Sequence, residues 1–333
     1  MDNVQHLVPG KLTTAIVICC YSDKRWDILN KAIEAAARQV PAADEIVVIV
    51  DHNPALALRL CAKRFETPVR IVENIHPPGL SGARNTGISV SRGEVILFLD
   101  DDAVSDQDLL ATLVRQLEDP SVLGAVSAIR PLWETDRPSW FPDEFLWTLG
   151  CTYRGLHPGP VRNLIGASMC IRRDVFDHTG GFDSGLGRTA KALPLGCEET
   201  ELCIRATKAL PHGRFVFEPS SGSDHAIPAD RATWKYFLHR CWAEGLSKAS
   251  LSLMAGSGEA LASEKTYMTR TLPQGVMRGF ADVLLGQPSG LLRAVALGAG
   301  LAATAAGFAL GRTRAALTRP FTSVPARALE PVE

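Results

Sequence analysis

The sequence predicts an α/β fold: a Rossmann-like, mainly parallel sheet with flanking helices and a helical C-terminal extension. Three observations predict it. Residues 14–128 alternate short apolar runs with segments of helical period. The apolar runs are continuous rather than alternating, as strands buried on both faces are. Acidic or polar residues follow those runs directly, at the strand ends where such sheets bind ligands.

The elements follow in order. TAIVICC (14–20) is the first strand, rich in β-branched residues. WDILNKAIEAAARQV (26–40) has helical periodicity, and EIVVIVD (45–51) is the second strand. Pro54 opens a short helix through ALALRLCAKRF. VRIVE (69–73) is a third strand, and SGARNTGISVS (81–91) a loop and helix. EVILFLDDD (94–102) is a fourth strand ending in acid, DQDLLATLVRQLED (106–119) a helix and LGAVSA (123–128) a fifth strand. Residues 129–165, with Trp133, Trp140, Trp147, Pro138, Pro142, Pro158 and Pro160, read as irregular: either a lid or acceptor wall, or a loop packed under the sheet edge. Helices are expected at 198–209 and 230–254, the second capped by Asp230. Residues 255–289 read as a connector, and the tail after Pro320 as disordered.

The expected organisation is a domain over 1–255, divided into a nucleotide-binding half (13–128) and an acceptor half (129–255). A helical region (256–320) and a tail (321–333) follow. The chain has 46% hydrophobic and 21% charged residues, enough for a sizeable core. Its net charge of −1 argues against broad capture of nucleic acid. Eight cysteines form no C-x-x-C pair and sit mostly in apolar runs, which suits reduced, buried thiols of a cytosolic chain. The N-terminus has no apolar core of signal-peptide length.

Residues 294–311, AVALGAGLAATAAGFALG, carry no charge. As a helix they would be about 27 Å long, near the hydrocarbon thickness of a bilayer. Two readings stand: a membrane contact, with Arg312, Arg314 and Arg319 on the cytoplasmic side, or a helix packed on the domain or on a partner. The expected location is cytoplasmic, either free or at the inner face of the plasma membrane.

Four clusters carry the chemistry. Asp100, Asp101 and Asp102 close a buried strand, and like charges at 4 Å repel by about 1 kcal/mol per pair even in water. Mg²⁺ or Mn²⁺ relieves that repulsion, taking one or two carboxylates plus phosphate oxygens. The alternative is a solvated turn with Asp102 as a helix cap. Asp51 ends the second strand and can accept hydrogen bonds from a base edge or ribose. Gly82-Ala83-Arg84-Asn85-Thr86-Gly87 allows close backbone approach, and Arg84 offers a fork of donors for phosphate or carboxylate. It is neither a dinucleotide fingerprint nor a Walker A loop. Gly196-Cys197-Glu198-Glu199 opens a helix. Acids there suit the macrodipole, or supply a general base to an acceptor hydroxyl.

In order and spacing, IVICCYSDKRWDIL, IVVIVDHN, LSGARNTGISVSRGEVILFLDDDA, LIGASMCIRRDVFDHTGGFD and GCEETELCIRA resemble the family 2 glycosyltransferases of the GT-A fold, over residues 13–250. The resemblance implies a nucleotide-diphospho-sugar donor, most simply a UDP-sugar, a hydroxyl acceptor that is a small molecule or lipid-linked, a divalent metal (Mg²⁺ or Mn²⁺), and inversion. Carried over, Cys20, Tyr21 and Asp51 line the nucleoside pocket, with Arg84 and Asn85 near the donor. Asp100 faces ribose or sugar, Asp102 the metal, and Asp101 stands between them. The family's usual Glu-Asp pair reads Glu198-Glu199, which leaves open which of the two takes the proton. His225 either completes the metal shell, touches the diphosphate, or is structural. The processive Gln-x-x-Arg-Trp motif is replaced by Arg240-Cys241-Trp242-Ala243-Glu244, against a polymer synthase. A nucleotidyltransferase would want a Gly-rich, Lys-bearing loop near the N-terminus, which CCYSDKRW is not. A non-catalytic sugar-nucleotide-binding or scaffold protein on the same fold is the remaining alternative.

Overall fold

The structure is a computed structural model that describes residues 12–185, 197–255 and 266–317. The N-terminal segment, Gly196, Arg319 and the tail lie outside the described residues. Among the described residues, nine strands form one sheet in the order β3-β2-β1-β4-β8-β6-β9-β5, with β7 also on β9. They are β1 (Thr14–Cys20), β2 (Glu45–Val50), β3 (Arg70–Glu73), β4 (Val95–Asp100), β5 (Ala103–Ser105), β6 (Val122–Trp133), β7 (Gly159–Val161), β8 (Ser168–Arg172) and β9 (Arg214–Ile227).

The parallel reading holds for β1 to β4. There β1 pairs parallel with β2 and β4, and β2 with β3. Beyond β4 the sheet is mixed: β8 runs antiparallel to both β4 and β6, while β6 and β9 are parallel. Short apolar runs carry no mark of direction, so the reversal was invisible in sequence.

Side-chain alternation along β1 builds two cores. Ile16, Ile18 and Cys20 face Leu29, Ile33, Leu56 and Leu113, from helices α1 (Trp26–Ala37), α2 (Pro54–Cys61) and α4 (Leu109–Leu117). Val17 and Cys19 face Ala83, Ile88, Phe98 and Phe176, with α3 (Leu80–Val90) and α5 (Arg173–Thr179) on that side. At α2, Asn53 Oδ1 accepts from Leu56 N (3.1 Å) and Pro54 sits in the first turn, as read from sequence.

The helix α6 (Glu198–Ala209) matches its expected span. Asp230 does not cap α7 (Trp234–Ala255). It lies in a 3₁₀ turn at Ala229–Ala232, and Thr233 Oγ1 accepts from Tyr236 N instead. The described part of the expected connector is also corrected. Leu272–Leu284 is helix α8, its Pro273 tolerated in the first turn. Ser289–Leu317 forms α9, which packs against α7 and α8.

The irregular stretch divides between its two readings. Trp133, Trp140 and Phe141 join an aromatic cluster with Trp234 and Phe237, Trp140 stacking on Trp234 at 4.3 Å. Trp147 and Tyr153 instead line a cavity.

Candidate active site

Parallel pairing puts the ends of β1, β2 and β4 on one edge of the sheet. After Asp100 the chain turns through Asp101 and Asp102 into β5, which pairs antiparallel with β9 and sets Ala103 opposite His225. Ala226 N donates to Asp102 O at 2.9 Å, fixing the register. His225 Nδ1 thereby comes within 3.3 Å of Asp102 Oδ1. Both atoms are buried, and neither has a hydrogen-bond partner. Ligand atoms of Asp100, Asp102 and His225 all lie within 4.8 Å of one another. Two orphaned buried donors of electron pairs beside a third carboxylate fit a divalent cation, since polar atoms left bare in a protein interior are otherwise costly. The solvated-turn alternative for Asp102 does not match its 3% exposure.

Arg25 holds the other side of this corner. Its Nη1 lies 2.6 Å from Asp101 Oδ1 and 2.9 Å from Asp102 Oδ2. Burial pushes the Asp101 carboxyl above the usual range, Arg25 opposing and Asp102 reinforcing the rise. Arg25 escaped the sequence reading because its partners lie 76 residues away, and no local pattern marks it.

Arg84 is fully buried at the centre of the site. Nη1 lies 3.1 Å from Glu199 Oε1 and 3.3 Å from Glu198 Oε1, and Nη2 lies 3.6 Å from Asp100 Oδ1 and donates to Gly166 O at 3.1 Å. The guanidinium also stands over the Phe182 ring. Its pKa is raised by Glu199, Asp100 and Glu198 against burial, the largest opposing cause. Gly166 is the second residue the sequence did not single out: a methyl there would collide with Glu199 and Arg84.

Arg84, Asp100, Gly166, both glutamates and His225 line one cavity of about 470 Å³. Its floor holds Arg84, Asp100, Glu198, Glu199 and His225; Tyr267, Leu301, Ala305 and Phe308 form an apolar wall from the C-terminal helices. Glu199 is the more open of the two glutamates, with side-chain exposure of 17% against 4%.

The other residues expected near the donor have the following protein partners. Asn85 donates through Nδ2 to Phe182 O (2.8 Å) and accepts at Oδ1 from Phe182 N (2.7 Å), so it clamps a loop. The Cys20 side chain is buried in the core beneath α1, α2 and α4, and burial pushes its thiol pKa up. Asp51 accepts from Asn74 Nδ2 (2.7 Å) and Gly79 N (2.8 Å) and lies 2.8 Å from His52 Nδ1, tying the loop before α3 to β2. Tyr21 is half exposed at the rim, with Arg25 over its ring.

Residues 15–180 match the model of glycosyl transferase family 2. The chain is 28% identical over 247 residues to the glucosyl-dolichyl phosphate glucuronosyltransferase of Haloferax volcanii, covering 73% of this chain and 78% of that one. It is 25% identical over 243 residues to the succinoglycan biosynthesis protein ExoM of Rhizobium meliloti, covering 71% and 74%. Among solved structures it is similar to the mannosyltransferase PcManGT of Pyrobaculum calidifontis in complex with GDP-Man and Mn²⁺. The TM-score is 0.58 at 16% identity, over 90% of this chain and 88% of that one. That likeness shows the fold.

Proposed function

The chain belongs to glycosyl transferase family 2, and we propose that it moves a sugar from a nucleotide diphospho-sugar to an acceptor hydroxyl, in one displacement that inverts the anomeric carbon. One observation carries this reading. In a single cavity lined by Glu199, Asp100 and His225, Arg84 stands between the Glu199 carboxylate and Asp100, which forms a carboxylate–imidazole corner with His225 and the buried Asp102 behind them.

Glu199 takes the proton of the acceptor hydroxyl, and its greater openness than Glu198 supports that choice. The acceptor oxygen bonds to the anomeric carbon as the bond to the diphosphate breaks, and the nucleoside diphosphate leaves. A divalent cation held by Asp102, His225 and Asp100 would neutralise charge on that leaving group. The imidazole nitrogen among the oxygens favours Mn²⁺ over the harder Mg²⁺. Arg84 orients Glu199 and supplies fixed positive charge between base and leaving group. Arg25 holds Asp101 and Asp102 in place.

The acceptor in this reading is lipid-linked, and the enzyme works at the cytoplasmic face of a membrane. The apolar wall of the cavity and the name of the Haloferax relative support it. The test is turnover of UDP-, GDP- and dTDP-sugars with Mn²⁺, Mg²⁺ or chelator. Release of nucleoside diphosphate that stops on chelation is expected; no release from any donor under any of these conditions would refute the reading.

A further inference from the structure

We infer that the α8–α9 hairpin is a bilayer-docking surface that lies in the plane of the membrane, and that α9 does not cross it. The inference rests on the lipid-linked acceptor reading and states how the enzyme would reach such a substrate.

Eleven of the seventeen exposed large apolar side chains among the described residues lie between Met268 and Leu310. The most exposed are Leu284 (89%), Leu285 (78%) and Met277 (71%), at and near the tip of the hairpin. Along α9, every exposed position from Leu291 to Leu310 is Leu, Val, Ala or Gly. A surface helix in water shows a polar outer face; this one has none for about five turns.

Charge selects the partner. Residues 266–317 carry Arg270, Arg278, Arg293, Arg312 and Arg314 against Asp282 alone, a net charge of +4 in a chain whose total is −1. Basic residues flanking an apolar face suit anionic headgroups. A second copy of this chain fits less well, because protein interfaces carry hydrogen bonds and a polar rim. The exposed positions of α9 from 291 to 310 offer no side-chain donor or acceptor.

Packing decides between lying in the membrane plane and spanning. The segment Ser289–Thr313, whose only charges are Arg293 and Arg312 near its ends, is long and apolar enough to cross a bilayer. Its inner face, however, is fitted to α7 at backbone distance: a methyl at Gly245 would strike Thr304 O, and one at Gly307 would strike Trp242 O. α7 contributes the charged side chains Arg240, Glu244 and Lys248 to the cavity lining, so it cannot follow α9 into hydrocarbon. Spanning would strip α9 from this seat. Docked flat, α9 keeps its seat and turns its apolar side to lipid. Leu301 and Ala305 belong both to that exposed face and to the cavity lining, so lipid surface and acceptor cavity are continuous.

The experiment is flotation of the full chain with vesicles of phosphatidylcholine, alone or mixed with phosphatidylglycerol. Binding should be stronger to the mixed vesicles and reversed by alkaline carbonate. Leu284→Asp and Leu285→Asp should each lower the partition coefficient by about tenfold or more, with Met277→Asp as an independent third site. The thermal shift of each variant with Mn²⁺ and UDP should match the parent's, which shows it is folded. Carbonate-resistant binding would overturn the inference in favour of a span. Flotation absent, or indifferent to all three variants, would also overturn it, as would a lipid-free dimer that the variants dissociate. Vesicle binding does not depend on sugar transfer. A protein that floats as described but turns over no sugar nucleotide would therefore sink the function and leave the docking surface standing.

Discussion

Arg84 Nη1 lies 3.1 Å from Glu199 Oε1, across 115 residues of sequence, and joins the ARN segment to the acidic start of α6. The same guanidinium reaches toward Asp100. The candidate base and the candidate metal corner are thus set by one buried cation, and what disturbs it should disturb both.

Glu199→Gln keeps the side chain's shape and removes its ability to accept a proton. Sugar transfer should fall by about 10²–10⁴-fold, with donor affinity and melting temperature close to the parent's. Glu198→Gln should cost less activity. Steady-state kinetics with calorimetric donor binding checks both, and the reverse ranking would reassign the base to Glu198.

Gly166→Ala should act on that same pair without removing a charged group. The added methyl displaces Glu199 and Arg84, so kcat should drop more than tenfold, as misplacement of catalytic groups by about an ångström does. Donor KM should move far less.

Asn85→Ala separates loop clamp from donor contact. Loss of its two bonds to the Phe182 backbone should destabilise the fold by about 1–3 kcal/mol. A denaturant melt reads that loss. A large rise in donor KM with unchanged stability would instead mark Asn85 as a donor contact.

Arg25→Ala removes a positive charge that competes for Asp102. The variant should be less stable without metal, by up to about 3 kcal/mol, and Mn²⁺ should raise its melting temperature by more than it raises the parent's. Equal shifts in the two proteins would show that Arg25 does not bear on the cation.

Thiol reactivity offers a check on burial. Cys19, Cys203 and Cys241 are each pushed up to about 12 by burial, which leaves little thiolate at pH 8. Cys61 is the one exposed cysteine of the eight. A chromogenic thiol reagent should find one fast thiol in the native protein, absent from Cys61→Ser, and eight after unfolding.

What was legible in the sequence followed local rules. β1, β2 and α6 were readable because apolar runs and an acidic first turn are written within a few residues, and VILFLDDD announced an acidic strand end for the same reason. Strand direction was not readable, since β8 looks like any apolar run. The connector reading failed at α8 because Gly275, Gly279 and Pro273 signal a break, whereas Gly275 and Gly279 here let α8 pack closely. Within the site, Asp102 and His225 are joined only by the β5–β9 pairing, Arg25 only by a long-range ion pair, and Gly166 only by the space its absent side chain leaves. Asn85 sits in a recognisable motif, yet its partner Phe182 lies 97 residues on. Resemblance alone could not tell a clamp from a ligand contact.

The most direct measurement is anomalous diffraction at the manganese edge, from crystals grown with Mn²⁺ and a nucleoside diphosphate. A peak bounded by Asp102 Oδ1 and His225 Nδ1, with Asp100 beside it, is the predicted result. A peak elsewhere, or none while Asp102 and His225 remain in direct contact, would contradict the account.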